Sequence, residues 1–192
     1  MPYNTWVAIC NVAAVRLGAA PITALTDPGK VATACNARYE LSRDEVLEQY
    51  EWRDAKTRKT LAADTTAPNH GYDYRYALPN DCLRLLEVAD AIEHVVENGY
   101  VLCDEADGID VLYIKQIVNP AEFRNPGLVH TIGLRIAADI CYHIVQSESF
   151  RQGIEKDFEI ALAKAKMKDA LQDTIDDEDQ DAREGEWATE GR

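Results

Sequence analysis

In Tyr72-Asp73-Tyr74-Arg75-Tyr76-Ala77-Leu78-Pro79-Asn80-Asp81-Cys82-Leu83-Arg84-Leu85-Leu86-Glu87-Val88, aromatic residues fall at every second position before the proline, and an apolar run follows it. Alternate side chains share one face of a pleated strand, so the tyrosines predict one strand and Leu83 to Val88 a second. A hairpin comes next. His94 to Leu102 sets apolar residues around Asn98-Gly99, a pair that accepts the positive φ of a type I′ turn. A turn over Asp104 to Gly108 and a strand over Val111 to Val118 complete a small antiparallel β unit, residues 72–118, of about four or five strands.

Helical patterns lie on both sides of this unit. Asn4 or Thr5 can cap a first helix whose apolar residues Trp6, Ile9, Cys10, Ala13 and Leu17 recur at helical spacing up to Gly18. Asp27-Pro28 reads as the N-cap and first-turn pair of a second, which carries Val31, Cys35, Tyr39, Val46, Leu47 and Tyr50 on one face. Trp52 to Leu61 remains helix-compatible but turns basic, and Ala63 to Gly71 is a loop. Beyond Asn119-Pro120 a third helix starts near Asn125-Pro126 with a broad apolar stripe from Val129 to Ile144. Ser147 or Ser149 caps a fourth that carries Phe150, Ile154, Phe158, Leu162 and Ala165. The fold class expected is therefore α+β: a mainly α-helical bundle of about four helices, residues 4–61 and 120–171, split by the inserted β unit.

At 192 residues the chain suits one domain over residues 1–171. The remainder, 172–192, holds nine acids against Arg183 and Arg192, half of the net charge of −14. Its apolar content is too low to offset ordering entropy, so it is expected to be a flexible tail, with Trp187 as a possible anchor. A pI near 4.6 disfavours sequence-specific DNA binding, because the chain repels a phosphate backbone. No signal peptide or membrane span is read from the sequence, and the expectation is a product of the cytosol. Five scattered cysteines, never in a CxxC pair, fit buried thiols better than a disulfide frame or zinc site.

Catalytic patterns do not assemble. His70, His94, His130 and His143 form no HExxH motif. His143 follows Asp139 by four residues on one helix, a spacing that allows a hydrogen bond. Asp104, Glu105, Asp107 and Asp110 surround Gly108 as in a calcium loop, yet Cys103 and Ile114 stand where an EF-hand needs carboxylates. No cofactor and no metal is expected. Arg43 and Asp44, adjacent on a helix, are expected to point in different directions.

The order Asn11, Leu17-Gly18, Pro21-Ile22, Asp27, Ala34-Cys35, Tyr39, Arg43-Asp44, Trp52, Arg58 and Leu61, followed by Tyr74-x-Tyr76-x-Leu78-Pro79-x-Asp81-Cys82-Leu83-Arg84, resembles the tail tubular protein A family. These are head-to-tail adaptors of short-tailed bacteriophages, and the likeness covers residues 4–170. It implies a non-enzymatic virion protein, made in the host cytoplasm, that forms a ring of about twelve copies between the portal protein and the tail nozzle protein. Genomic DNA would pass through the lumen without sequence-specific binding.

Carried over by position, Arg43, Asp44, Arg58, Tyr74, Tyr76, Asp81 and Arg84 would make subunit or helix-to-sheet contacts. Phe158, Leu162, Lys166, Leu171 and Trp187 would dock on the portal, and the Asn98-Gly99 hairpin would face the tail. The dense carboxylate tail supports a different reading, an acidic binding protein that sequesters a basic or nucleic-acid-binding host protein.

Overall fold

The computed structural model describes the backbone of residues 2–187 and the side chains of residues 2–172. The protein is α+β, with four α-helices and two three-stranded antiparallel sheets among the described residues. It divides into two compact units. One holds the chain up to Val46 and again from Asn119; the other is Leu47–Val118.

The helical unit contains α1 (Trp6–Arg16), α2 (Lys30–Glu48), α3 (Pro126–Val145) and α4 (Glu148–Trp187). Local chemistry sets the starts of three of them. Thr5 accepts the Ala8 N–H at the head of α1, Asn125 accepts those of Gly127 and Leu128 ahead of Pro126, and Ser147 accepts that of Phe150. Contrary to the expectation from Asp27-Pro28, Asp27 does not cap α2. Its carboxylate turns back to accept the N–H groups of Thr23 and Ala24, and the first helical bond of α2 runs from Thr33 N–H to the Gly29 carbonyl. An Asp three residues before a helix satisfies the orphan donors within its reach, here those of the turn it closes.

Helix α3 is the spine of this unit. By length and composition it could cross a bilayer, but 61% of its apolar window is buried and it packs on α1 and α4. At Gly133 the approach to α1 is so close that a Cβ would lie 2.5 Å from the Val12 Cβ. Helix α4 runs to Trp187, into the stretch expected to be a flexible tail; residues 188–192, and side chains from residue 173 onward, Trp187 included, lie outside the described residues.

The second unit contains β1 (Lys56–Leu61), β2 (Tyr74–Ala77), β3 (Cys82–Val88), β4 (Val95–Glu97), β5 (Tyr100–Cys103) and β6 (Ile109–Lys115). The sheets are ordered β1-β6-β3 and β2-β5-β4, and Leu61, Tyr76, Val88, Val101, Ile109 and Tyr113 belong to one buried cluster. The tyrosine strand, the strand after Pro79 and the hairpin stand where the sequence puts them. Asn98 and Gly99 have φ of 51° and 78°, the left-handed pair that a type I′ turn requires.

Two expectations are corrected. The strands number six in two sheets, and residues 56–61, read as helix-compatible, form β1. Lys-Thr-Arg-Lys-Thr-Leu buries only Leu61 fully, so no apolar alternation marks it; its partner is β6, about fifty residues away in sequence. The compact unit that holds both sheets spans Leu47–Val118.

Candidate interaction surfaces

In the helical unit the polar groups that might have formed a reactive centre are used up in packing. Asp139, whose side chain is 7% exposed, accepts from Ser42 Oγ at 2.6 Å and pairs with Arg135 at 2.8 Å and Arg38 at 3.4 Å; Arg135 also donates to Glu45 at 2.9 Å. This ties α2 to α3. His143 is exposed, and Asp139 spends its oxygens on those partners, so the His143–Asp139 bond that the spacing allows is not made.

Arg43 and Asp44 do meet, contrary to expectation. Arg43 Nε and an Nη donate to the two Asp44 oxygens at 2.6 and 3.0 Å, and the guanidinium lies 5.5 Å from the Trp6 ring centroid. The long arginine side chain curls around the helix to reach its neighbour, and Trp6 covers it to 3% exposure.

Cys10 and Cys35, both buried, share a thiol hydrogen bond. That bond, with burial adding to it, pushes the Cys10 pKa far up; the same bond pulls that of Cys35 down against the opposing effect of burial. Cys103 and Cys141 are buried as well, Cys82 is half-buried, and all five are free. Among the described residues no group of three His, Cys, Asp or Glu could hold a metal ion. The carboxylates of 104–110 organise their own turn instead. Asp104 accepts from Asp73 N–H, Glu105 from Ala106 and Asp107 N–H, and Asp110 from the Thr60 hydroxyl.

In the β unit, Tyr76 is fully buried and donates its hydroxyl to the Glu105 carbonyl at 2.6 Å. Tyr113 donates to Asp81 at 3.3 Å; burial, with the adjacent Asp81 charge, pushes its pKa up to about 12. Tyr74 is half-buried on β2. Arg84 keeps a buried Nε with no hydrogen-bond partner. These motif residues thus build the scaffold of the unit. Arg58 is different: with Lys59, Thr60, Glu87 and Asp110 it lines a shallow groove of about 460 Å³ on the exposed side of the first sheet.

On α4, Phe158 is buried, with the Arg135 guanidinium 5.9 Å from its ring, so it serves the core and is not free to dock. Leu162 and Lys166 are half-buried. Among the described residues of α4 the exposed large apolar side chains are Ile160, Met167 and Leu171, at steps of seven and four along one face. Sequence reading missed Ile160 and Met167 because it followed the stripe that faces inward; the signal was the second stripe, offset from the first.

Neither a protein-family model nor a curated protein sequence matches the chain.

Proposed function

We propose that the chain is a structural head-to-tail adaptor of a bacteriophage, forming a ring between portal and tail nozzle. The observation that carries the proposal is the ordered motif set from Asn11 to Arg84, with its most distinctive run at Tyr74-x-Tyr76-x-Leu78-Pro79-x-Asp81-Cys82-Leu83-Arg84. The roles of those residues support it. Arg43, Asp44, Trp52, Tyr76 and Asp81 are buried or engaged in fixed contacts, as expected of a protein whose task is to hold a shape.

In this reading the helical unit is the bundle that makes the ring body, and the inserted β unit projects toward the tail, hairpin first. Leu171, with Ile160 and Met167 beside it, offers an exposed apolar stripe to the portal, and Leu162 and Lys166 border it. Net negative charge suits a channel wall, because DNA that is not held by its phosphates can slide.

The test is to mix the purified chain with portal rings and image the product by electron microscopy. An added coaxial ring of density is expected; bare portals would refute the proposal. Removal of residues 172–192 is expected to weaken docking while circular dichroism of the body is kept, and equal docking would take the tail out of the mechanism. If the chain instead retains nucleic-acid-binding host proteins from lysate in a salt-sensitive manner, the acidic sequestering protein is the better reading.

A further inference from the structure

The β unit has four outer strands, and they are not alike. The outer side of β2 already takes a bond, from Asp64 N–H to the Arg75 carbonyl, and β3 is broken by two register shifts against β6, the kind of irregularity that blunts an edge. That leaves β1 and β4 as regular edges.

Their hydrogen-bonding directions follow from the ladders. Lys115 N–H bonds to the Ala55 carbonyl, so Ala55 and every second residue after it, Thr57, Lys59 and Leu61, face β6. The backbone groups of Arg58 and Thr60 therefore face outward. In the hairpin, a two-residue loop closes on the hydrogen-bonded pair Glu97 and Tyr100, which puts Val95 opposite Leu102 in the same class. Val96, between them, turns its N–H and carbonyl away from β5.

The two edges differ in charge. Arg58 and Lys59 are exposed on β1, whereas Glu93 and Glu97 are exposed on and beside β4. From Ala89 to Leu102 there are three acids, Asp90, Glu93 and Glu97, and no lysine or arginine. Val95 and Val96 are 43% and 47% exposed, so the acidic edge carries apolar surface on both faces of its strand. A strand of this kind gains by being covered.

We propose that the basic β1 edge of one copy pairs with the acidic β4 edge of the next, adding strand to strand between copies. Arg58 and Thr60 supply the backbone groups on one side and Val96 on the other, while Arg58 and Lys59 meet Glu93 and Glu97. Because the two edges are different surfaces, the contact is head-to-tail, and a head-to-tail contact closes into a ring when its rotation closes. This rests on the ring reading above and names the surface that builds the ring.

The test uses edge prolines. Arg58→Pro removes an outward N–H and leaves the bonds to β6; Val96→Pro does the same on β4. Sedimentation velocity of the full chain is expected to show association for the wild type and monomers for each variant, with circular dichroism unchanged. An equimolar mixture of the two variants is expected to give dimers and nothing larger, because each supplies the edge the other lacks.

A second pair guards against misfolding. Arg58→Glu with Lys59→Glu, and Glu93→Lys with Glu97→Lys, should each stay monomeric, and on mixing should alternate into assemblies larger than dimers, because both edges of each variant then face the opposite charge. Variants that associate like the wild type, mixtures that stay monomeric, or a wild type that remains monomeric at its highest soluble concentration would each overturn the inference. Portal imaging separates the two claims, since rings of Arg58→Pro on portals would sink the edge pairing and leave the adaptor reading standing.

Discussion

The two compact units satisfy their polar groups in different ways. Within the helical unit, ladders close on themselves, caps take up the free N–H groups at the starts of α1, α3 and α4, and the buried Ser42, Arg43 and Asp139 all find partners inside. The β unit builds a core from two three-stranded sheets, yet it leaves the β1 and β4 edges with unpaired backbone groups and opposite charge. A helix carries its hydrogen bonds within itself, whereas a sheet always has an outermost strand. In a protein proposed to assemble, the sheet is thus the natural place for a contact that must form after folding.

Core substitutions should break the contrast hardest. Trp52, fully buried in the β unit with Tyr50 at a ring-centroid distance of 5.0 Å, is expected to cost about 3–5 kcal/mol when changed to Ala. Hydrogen exchange on β3, β5 and β6 would locate the loss there; amides of α3 losing protection first would contradict it. Gly133→Ala tests the other unit. With Val12 2.5 Å from the new methyl group, α1 and α3 must part, at about 1–3 kcal/mol in thermal melts, and an unchanged melting temperature would mean that the close approach is not maintained.

Alkaline conditions should sharpen the comparison. The Tyr113 pKa is raised from an ordinary value of 10.0 to about 12, so folding favours the protonated phenol. Its contribution is complete below pH 10 and disappears as the pH rises through 12. Denaturant midpoints between pH 10 and 12 should fall less in Tyr113→Phe than in the wild type.

The smallest effect is expected in acid, in the helical unit. The Arg151 hydrogen bond holds Glu148 below its ordinary 4.5, and the Thr23 and Ala24 N–H groups hold Asp27 below 3.8. Depressed carboxylates contribute fully above those values, and the contribution is lost as the pH falls through the lower folded-state values. Asp27→Asn should flatten the acid limb of the stability profile slightly, and a steeper limb would show the assignment wrong.

Where signals are local, the sequence was readable. Asn98-Gly99 fixed its hairpin, and Thr5, Asn125 and Ser147 marked helix starts, because a cap or tight turn is decided by a few neighbouring residues. The misses share a cause. Strand β1 exists through pairing with β6, Asp27 bonds backward instead of forward, and Arg43 reaches Asp44 beneath the cover of Trp6. Each depends on a partner that spacing along the chain does not reveal. Among candidate contact residues, the same inward stripe that located α4 also drew attention to Phe158, which the core had already taken. The edge residues Arg58 and Lys59 were visible only as a basic cluster until the strand order gave that cluster a position.

The central claim is that this chain assembles as a ring on a portal, and the mass of the assembled particle tests it most directly. Portal rings incubated with excess chain and weighed by native mass spectrometry should gain one closed set of 21.5 kDa copies, about twelve, with no partly filled species dominating. Portals that gain no mass, or that bind scattered single copies without closing a set, would contradict it.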